Sequence, residues 1–241
     1  MTEATTTWLA GARIAATVGA LRPDYRAVLV VADGLTPGPS DASTDRMLRA
    51  AEARARSVLG DAPVESHPHV TAWRDAFRAF GAKPQRTRPS VEALLRRLPQ
   101  GLPRIDRLTD TYNAVSVAHV LPVGGEDLDR YEGSLLLTRA AGDEPFETTT
   151  DGRAVIDRPD PGEVVWRDDA SVTCRRWNWR QCTRTRLTDT TSRAVFVLDA
   201  LGPMTDEALD AATEALRAAL LATSPDASIS SRVLANSRPV G

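Results

Sequence analysis

The segment CRRWNWRQC, residues 174–182, places three arginines, two tryptophans, an asparagine and a glutamine between two cysteines. Large apolar rings usually lie inside a protein, whereas arginines usually stay in water. Side chains of a β-strand alternate between the two faces of a sheet, so an extended segment accommodates both. We therefore predict a strand in which Trp177 and Trp179 cover the core, with Arg175 and Gln181 at the ends of that face.

The opposite face of this predicted strand carries Arg176, Asn178 and Arg180. Residues 174–188 contain five arginines and no aspartate or glutamate, so the row has no local partner. Two interpretations stay open. In the first, the arginines pair with acidic residues from elsewhere in the chain, namely Asp168, Asp169 or those of segment 126–132. In the second, the row lines a cleft for an anionic or hydroxyl-rich ligand, because arginine binds phosphate in a bidentate manner and asparagine both donates and accepts.

The chain on either side of this segment mixes helices with strands. A β-branched apolar run at 25–31 predicts a buried strand. Apolar residues at helical spacing predict helices at 43–59, 70–80 and 206–222, and Ser90 is a suitable N-cap for another. Short candidate strands follow at 134–140, 153–157, 162–166, 171–177 and 193–200. Since strands and helices do not alternate regularly, we predict an α+β fold.

We expect one compact domain over residues 1–241, with residues 1–70 as an N-terminal subregion and 204–224 around the last helix. The final segment, 224–241, is predicted to be peripheral. No run of about 18 apolar residues predicts a membrane span, and the N-terminus is a poor signal peptide. With two cysteines and no disulfide pattern, we expect a cytoplasmic protein.

The net charge of −2 gives no global attraction to nucleic acid, and no DNA partner is expected. A local basic zone occupies residues 83–107, where seven Lys and Arg residues face one Glu and one Asp. It is either a solvated helix surface or a surface that follows phosphates. The candidate RNA-binding residues in this zone are Arg86, Arg88, Arg96 and Arg97.

A second candidate region lies at Pro122–Asp127, which we predict to be a tight turn containing Gly124 and Gly125. Paired glycines supply unusual backbone angles or allow a ligand to approach the backbone. Asp110 and Asn113 precede a small apolar stretch and are candidates for a partly buried site. His67 and His69 lie in a predicted loop without an obvious third metal ligand, so neither a metal nor another cofactor is expected.

Five segments together resemble a known family: 73–81, 88–98, 102–133, 162–169 and 174–182. They are similar to the free-standing B3/B4-type tRNA-binding domain, the module that hydrolyses mischarged aminoacyl-tRNA in the phenylalanyl-tRNA synthetase β subunit. The resemblance is centred on residues 71–200. It implies a mainly antiparallel central sheet flanked by helices, and a pocket for an aminoacyl ester on a terminal adenosine. No aminoacylation site is recognisable, so the chain is not a tRNA ligase.

Within the resemblance, Asn113, Pro122 and Asp127 match the family's asparagine, proline and aspartate. Gly124 stands where the synthetase module has a histidine tied to editing. Activity would then be rebuilt around the segment 174–182 or be lost. The resemblance therefore implies either an aminoacyl-tRNA deacylase acting in trans or a non-catalytic module that binds tRNA or a free amino-acid-like ligand.

Ester hydrolysis requires positioning, a held water and a stabilised oxyanion, without a covalent nucleophile. We assign catalytic roles to two residues at the carbonyl or ribose, Asn178 and Arg180, and to two carboxylates at the ammonium or water, Glu126 and Asp127. The candidate ligand-binding residues are Asn113, Gly124, Gly125, Arg176, Asp110 and Gln181. The expected partner is tRNA or aminoacyl-tRNA.

Overall fold

The computed structural model describes residues 3–235. Within this range the helices are α1 (Glu3–Gly11), α2 (Ala16–Leu21), α3 (Ala42–Leu59), α4 (Pro68–Ala79), α5 (Ser90–Leu95), α6 (Arg107–His119) and α7 (Asp206–Thr223). The strands are β1 (Arg13–Ile14), β2 (Arg26–Asp33), β3 (Val123–Asp127), β4 (Leu136–Arg139), β5 (Phe146–Thr150), β6 (Arg153–Asp157), β7 (Val164–Arg167), β8 (Val172–Arg175), β9 (Arg180–Gln181), β10 (Arg193–Ala200) and β11 (Ser228–Ala235). Helices with mainly antiparallel strands confirm the α+β prediction.

Two sheets organise the described residues. Sheet I contains β11, β2, β10 and β3 in that order, and every neighbouring pair is antiparallel. Sheet II contains β1, β4, β7, β8 and β9 in that order, with β1 parallel to β4 and the other pairs antiparallel. β5 and β6 form a separate hairpin.

Strand β10 is buried along both faces because it lies between two layers of apolar side chains. Val195 and Val197 pack in one core cluster with Trp166 of sheet II. Phe196 and Leu198 point to the other side and pack in a second cluster with residues of α6 and α7. A sheet covered on both sides reads as a continuous apolar run in sequence, which is what made β10 recognisable.

Most of the strongly periodic elements are confirmed. The predicted strand at 25–31 is β2, and the predicted helices at 43–59, 70–80 and 206–222 are α3, α4 and α7. The Asp41 carboxylate caps α3 by accepting hydrogen bonds from the Ser43 and Thr44 amides at 2.7 and 3.0 Å. Among the helices of residues 3–235, none combines the length and apolar character that a bilayer crossing requires.

Three local predictions are wrong. The N-cap of α5 is Pro89, and Ser90 is the first helical residue, with a buried hydroxyl that has no hydrogen-bond partner. Residues 228–235 of the predicted peripheral tail form β11, which extends sheet I by pairing with β2; residues 236–241 of that tail lie outside the described residues. The predicted turn at Pro122–Asp127 is β3, at the edge of sheet I.

The paired glycines of β3 serve close packing. A Cβ on Gly125 would lie 2.8 Å from the Phe196 ring and 3.0 Å from the Tyr112 ring. A Cβ on Gly124 would lie 3.0 Å from Nε2 of Gln181. Neither glycine has a positive φ, so the absence of a side chain, and no special backbone angle, explains their position in the strand.

Candidate functional site: a cavity beside the hairpin 174–182

The segment 174–182 folds as a tight hairpin. β8 ends at Arg175, residues 176–179 turn, and β9 begins at Arg180. Arg176 and Trp177 have φ values of 48° and 67°, a left-handed conformation that is costly for large side chains. The Trp177 amide donates to the Val164 carbonyl at 2.7 Å, and the Arg176 amide donates to Glu163 Oε1 at 3.1 Å. These bonds stabilise the turn, so the prediction of one continuous strand is wrong.

The turn places the two tryptophans in different environments. Trp177 is fully buried, with ring-centroid distances of 4.9 Å to Tyr25 and 5.3 Å to Trp73. Trp179 is only half-buried. The guanidinium groups of Arg176 and Arg180 lie 4.6 and 4.7 Å from the centroid of its ring, within the range of cation–π attraction. Both rings contact the same core cluster, as predicted, but they do not share one face of a strand because residues 176–179 form a turn.

The arginines of the hairpin divide into paired and unpaired groups. Arg175 is buried and binds Glu163 through Nε at 2.9 Å and Nη2 at 2.8 Å. Arg176 also binds Glu163, with Nε 3.3 Å from Oε2. Arg180 is exposed and forms no ion pair with any residue of 3–235. The sequence suggested acidic partners at Asp168, Asp169 or 126–132, and of these Asp168 pairs with Arg184, one of the five arginines of 174–188, at 2.8 Å.

A cavity of about 400 Å³ lies beside this hairpin, bounded also by β3, β7, β10 and the chain around α5 and α6. Several of the site residues predicted from the sequence line this cavity, although they lie far apart in the chain. They are Asn113, Gly124, Glu126, Asn178, Arg180, Gln181 and Arg97. Apolar side chains form much of the remaining wall, including Val123, Trp166, Cys174, Trp177 and Val197.

Four other predicted ligand contacts do not line this cavity, namely Asp110, Gly125, Asp127 and Arg176. Asp110 is buried and accepts hydrogen bonds from the Ser40 hydroxyl at 2.5 Å and the Ile105 amide at 2.9 Å. Asp127 accepts from the Thr191 hydroxyl at 2.7 Å. These two carboxylates instead hold loops together. The Gly125 carbonyl accepts from Nε2 of Gln181 at 2.9 Å, which fixes the Gln181 amide in the cavity wall.

Asn178 and Asp199 are neighbours in the wall. Nδ2 of Asn178 donates to Oδ2 of Asp199 at 3.4 Å, and the Tyr25 hydroxyl donates to Oδ1 of Asp199 at 2.5 Å. Asp199 is 2% exposed, and burial raises its pKa to about 7. Oδ1 of Asn178 is buried without a hydrogen-bond partner. Sequence reasoning missed Asp199, although a carboxylate inside the apolar run 193–200 was a usable signal.

Glu126 is the other carboxylate in the wall. Its Oε2 accepts hydrogen bonds from the Tyr131 hydroxyl at 2.8 Å and the Thr185 hydroxyl at 2.7 Å. These two contacts hold the carboxylate in one orientation. Burial raises the pKa of Glu126 above its usual value, against the lowering effect of the Thr185 bond.

In the basic zone 83–107, a buried carboxylate forms ion pairs with some of the arginines and leaves others without one. Glu92 is fully buried and pairs with Arg74 at 2.7 Å, Arg96 at 2.9 Å and Arg88 at 3.7 Å. Arg86 and Arg97 are exposed and form no ion pair with residues 3–235. Of the four predicted RNA-binding arginines, Arg86 and Arg97 are therefore the two whose charge is free for a ligand, and Arg97 also lines the cavity.

Comparison with known proteins identifies the family of this chain. The family model for the B3/4 domain matches residues 72–220, and the chain therefore belongs to this family. Its structure is similar to an N-terminal fragment of the phenylalanyl-tRNA synthetase β subunit from Pyrococcus horikoshii, with 12% identity and a TM-score of 0.46. The similarity covers 92% of this chain and 50% of that chain. Among curated proteins, none matches this chain.

Proposed function

We propose that this protein binds the aminoacylated end of a tRNA and hydrolyses the ester of a mischarged tRNA in trans. The observation that carries the proposal is a cavity of about 400 Å³ whose apolar wall is interrupted by Asn178, Glu126 and Asp199. Sites for small ligands typically measure about 300–1,000 Å³ and have a few fixed polar groups in an apolar lining. An apolar amino acid esterified to a ribose has matching apolar and polar parts.

The charge at the cavity supports a nucleotide-linked substrate. Arg97 and Arg180 are exposed residues of the lining without ion pairs among residues 3–235. They are available for phosphate groups at the entrance. Arg180 also lies over the Trp179 ring, and guanidinium planes and aromatic rings are the surfaces on which unpaired bases stack. Asn113 and Gln181 offer amide groups that can bind ribose hydroxyls.

The proposed reaction adds water to the ester carbonyl carbon and breaks its bond to the ribose oxygen. Glu126 accepts a proton from the attacking water and passes it to the departing ribose oxygen, which yields the free amino acid and uncharged tRNA. A general base works best when its pKa is close to the working pH, and burial shifts the pKa of Glu126 upward. Asn178 donates to the developing oxyanion or to the ribose.

The test is deacylation of a panel of correctly and wrongly charged tRNAs by the purified protein. We expect turnover of a subset of the panel, and a rate loss of about 100-fold or more in Asn178→Ala, as for the loss of one oxyanion donor. Glu126→Gln should lose rate while retaining substrate binding. Thr149→Ala, which removes an exposed hydroxyl outside both the cavity and the basic zone 83–107, is the control and should keep the wild-type rate.

Binding without turnover is the second candidate function, and the family histidine that Gly124 replaces is the observation that favours it. In that case the whole panel stays charged, while tRNA or a free amino acid still binds the wild-type protein and binds Asn178→Ala less well. A protein that neither hydrolyses nor binds any member of the panel contradicts both functions.

A further inference from the structure

Asp199 lines the cavity as a buried carboxylate without a cationic partner among residues 3–235. Its hydrogen bonds come from two neutral groups, the Tyr25 hydroxyl at 2.5 Å and, at the longer distance of 3.4 Å, Nδ2 of Asn178. Buried carboxylates in proteins are normally paired with a cation or fully hydrogen-bonded. An ionised carboxylate has about four acceptor positions, so this one has capacity left for a ligand.

A second acceptor lies next to it. Asn178 is 9% exposed, and its Oδ1 is buried without a hydrogen-bond partner, although its Nδ2 is used. Buried side-chain acceptors are nearly always satisfied. Two neighbouring acceptors, one of them ionisable, call for a group that has several N–H donors and a positive charge. A primary ammonium carries three donors and no acceptor.

The surrounding wall limits what can be attached to that ammonium. Trp166, Trp177 and Val197 line the same cavity, together with the thiol of Cys174. Burial raises the pKa of this thiol well above its usual value, so it is neutral in the physiological pH range. The lining therefore fits an α-ammonium next to an apolar or aromatic side chain.

We propose that Asp199 and Oδ1 of Asn178 bind the α-ammonium of the aminoacyl group, so that the site requires an unblocked amine on an apolar amino acid. This inference rests on the proposed function and assigns the two carboxylates of the wall to different tasks. Glu126 handles the water, and Asp199 neutralises the amine and orients the carbonyl relative to that water.

The test compares one apolar amino acid on one tRNA, with the α-amine either free or N-acetylated. Acetylation removes the charge and also the electron withdrawal by which an α-ammonium activates the ester, so affinities are compared and hydrolysis rates are not. We expect the wild-type protein to bind the free-amine form about 10- to 100-fold better, as for a hydrogen bond to a charged group. Asp199→Asn should lose this preference. Asp189→Asn, which alters an exposed carboxylate outside the cavity, should keep it.

A small-molecule experiment separates this inference from the proposed function. NMR titration compares leucinamide with the analogue that carries a hydroxyl in place of the amine. Preference for leucinamide that is lost in Asp199→Asn supports the ammonium site, even where no charged tRNA is hydrolysed. Equal binding of the two amides, or an unchanged preference in Asp199→Asn, overturns it. Should Asp199→Asn not fold, Asn178→Ala removes the second acceptor and is expected to weaken the binding of leucinamide but not that of its hydroxyl analogue.

Discussion

Folding shifts the pKa values of two buried groups in opposite directions, and this gives the stability of the folded state a testable dependence on pH. His69 is 1% exposed; its Nδ1 donates to the Val120 carbonyl at 2.8 Å, and its Nε2 accepts from the Leu201 amide at 3.1 Å. Because Nε2 must accept, the ring has to be neutral, and burial lowers its pKa from 6.5 to about 4. Burial raises the pKa of Asp199 from 3.8 to about 7.

The sign of each contribution follows from which state binds more protons. For His69 the unfolded chain binds more protons between pH 4 and 6.5. The contribution of His69 to the free energy of unfolding is therefore complete above pH 6.5 and is lost as the pH falls. For Asp199 the folded chain binds more protons between pH 3.8 and 7, so its contribution is lost as the pH rises. From pH 7.5 to 5.0, His69 lowers the free energy of unfolding by about 2 kcal/mol and Asp199 raises it by about 2.5 kcal/mol.

The assay is urea unfolding at pH 7.5 and 5.0 for the wild type, His69→Gln and Asp199→Asn. Glutamine can keep both hydrogen bonds of His69 without titrating. When the pH is lowered from 7.5 to 5.0, the change in the free energy of unfolding should be about 2 kcal/mol more positive for His69→Gln than for the wild type. For Asp199→Asn it should be about 2.5 kcal/mol more negative than for the wild type. All other titrating groups are shared and cancel in these differences. Two variants that follow the wild type, or that both shift in one direction, would refute the reasoning.

Three shorter predictions concern packing and charge. Gly125→Ala should lower the free energy of unfolding by about 1–3 kcal/mol, because its Cβ would lie 2.8 Å from Phe196; unchanged urea stability would contradict this. Glu163→Gln should cost about 1.5–3 kcal/mol, as for the loss of a hydrogen bond to a charged group, because the buried Arg175 then keeps only its ion pair with Asp157; a wild-type melting curve would count against it. Arg180→Ala should reduce the slope of log tRNA affinity against log salt by about 0.7. The control is Arg153→Ala, which changes another exposed strand arginine without an ion pair among residues 3–235 and should leave the slope unchanged. Equal slopes for the two variants would show that Arg180 does not contact RNA.

The elements that the sequence predicted correctly are those with strong apolar periodicity. Val70, Trp73 and Phe77 mark α4 at helical spacing, and all three are fully buried. Helix α6 was missed because half of its buried residues are polar, namely Asp110, Thr111, Asn113 and Ser116. An apolar pattern cannot reveal such a helix.

The hairpin at 174–182 was predicted wrongly because its determinant lies outside it. Glu163 accepts bonds from both the backbone and the side chain of Arg176 and from the side chain of Arg175. Local alternation alone favours a strand, and this interaction at a separation of 12 or 13 residues overrides it. Asp199 was missed for a similar reason, because its Tyr25 partner lies 174 residues away.

The absence of histidine from the cavity limits the chemistry that the site can perform. His67, His69 and His119 do not contribute to its wall. The titratable acceptors in the wall are Glu126 and Asp199, while the Cys174 thiol is kept protonated by burial. Proton transfer in the proposed hydrolysis must therefore pass through a carboxylate. Oε2 of Glu126 is fixed by two hydroxyl groups, whereas Asp199 keeps unfilled acceptor positions. This difference is why we assign the water to the first carboxylate and the cationic amine to the second.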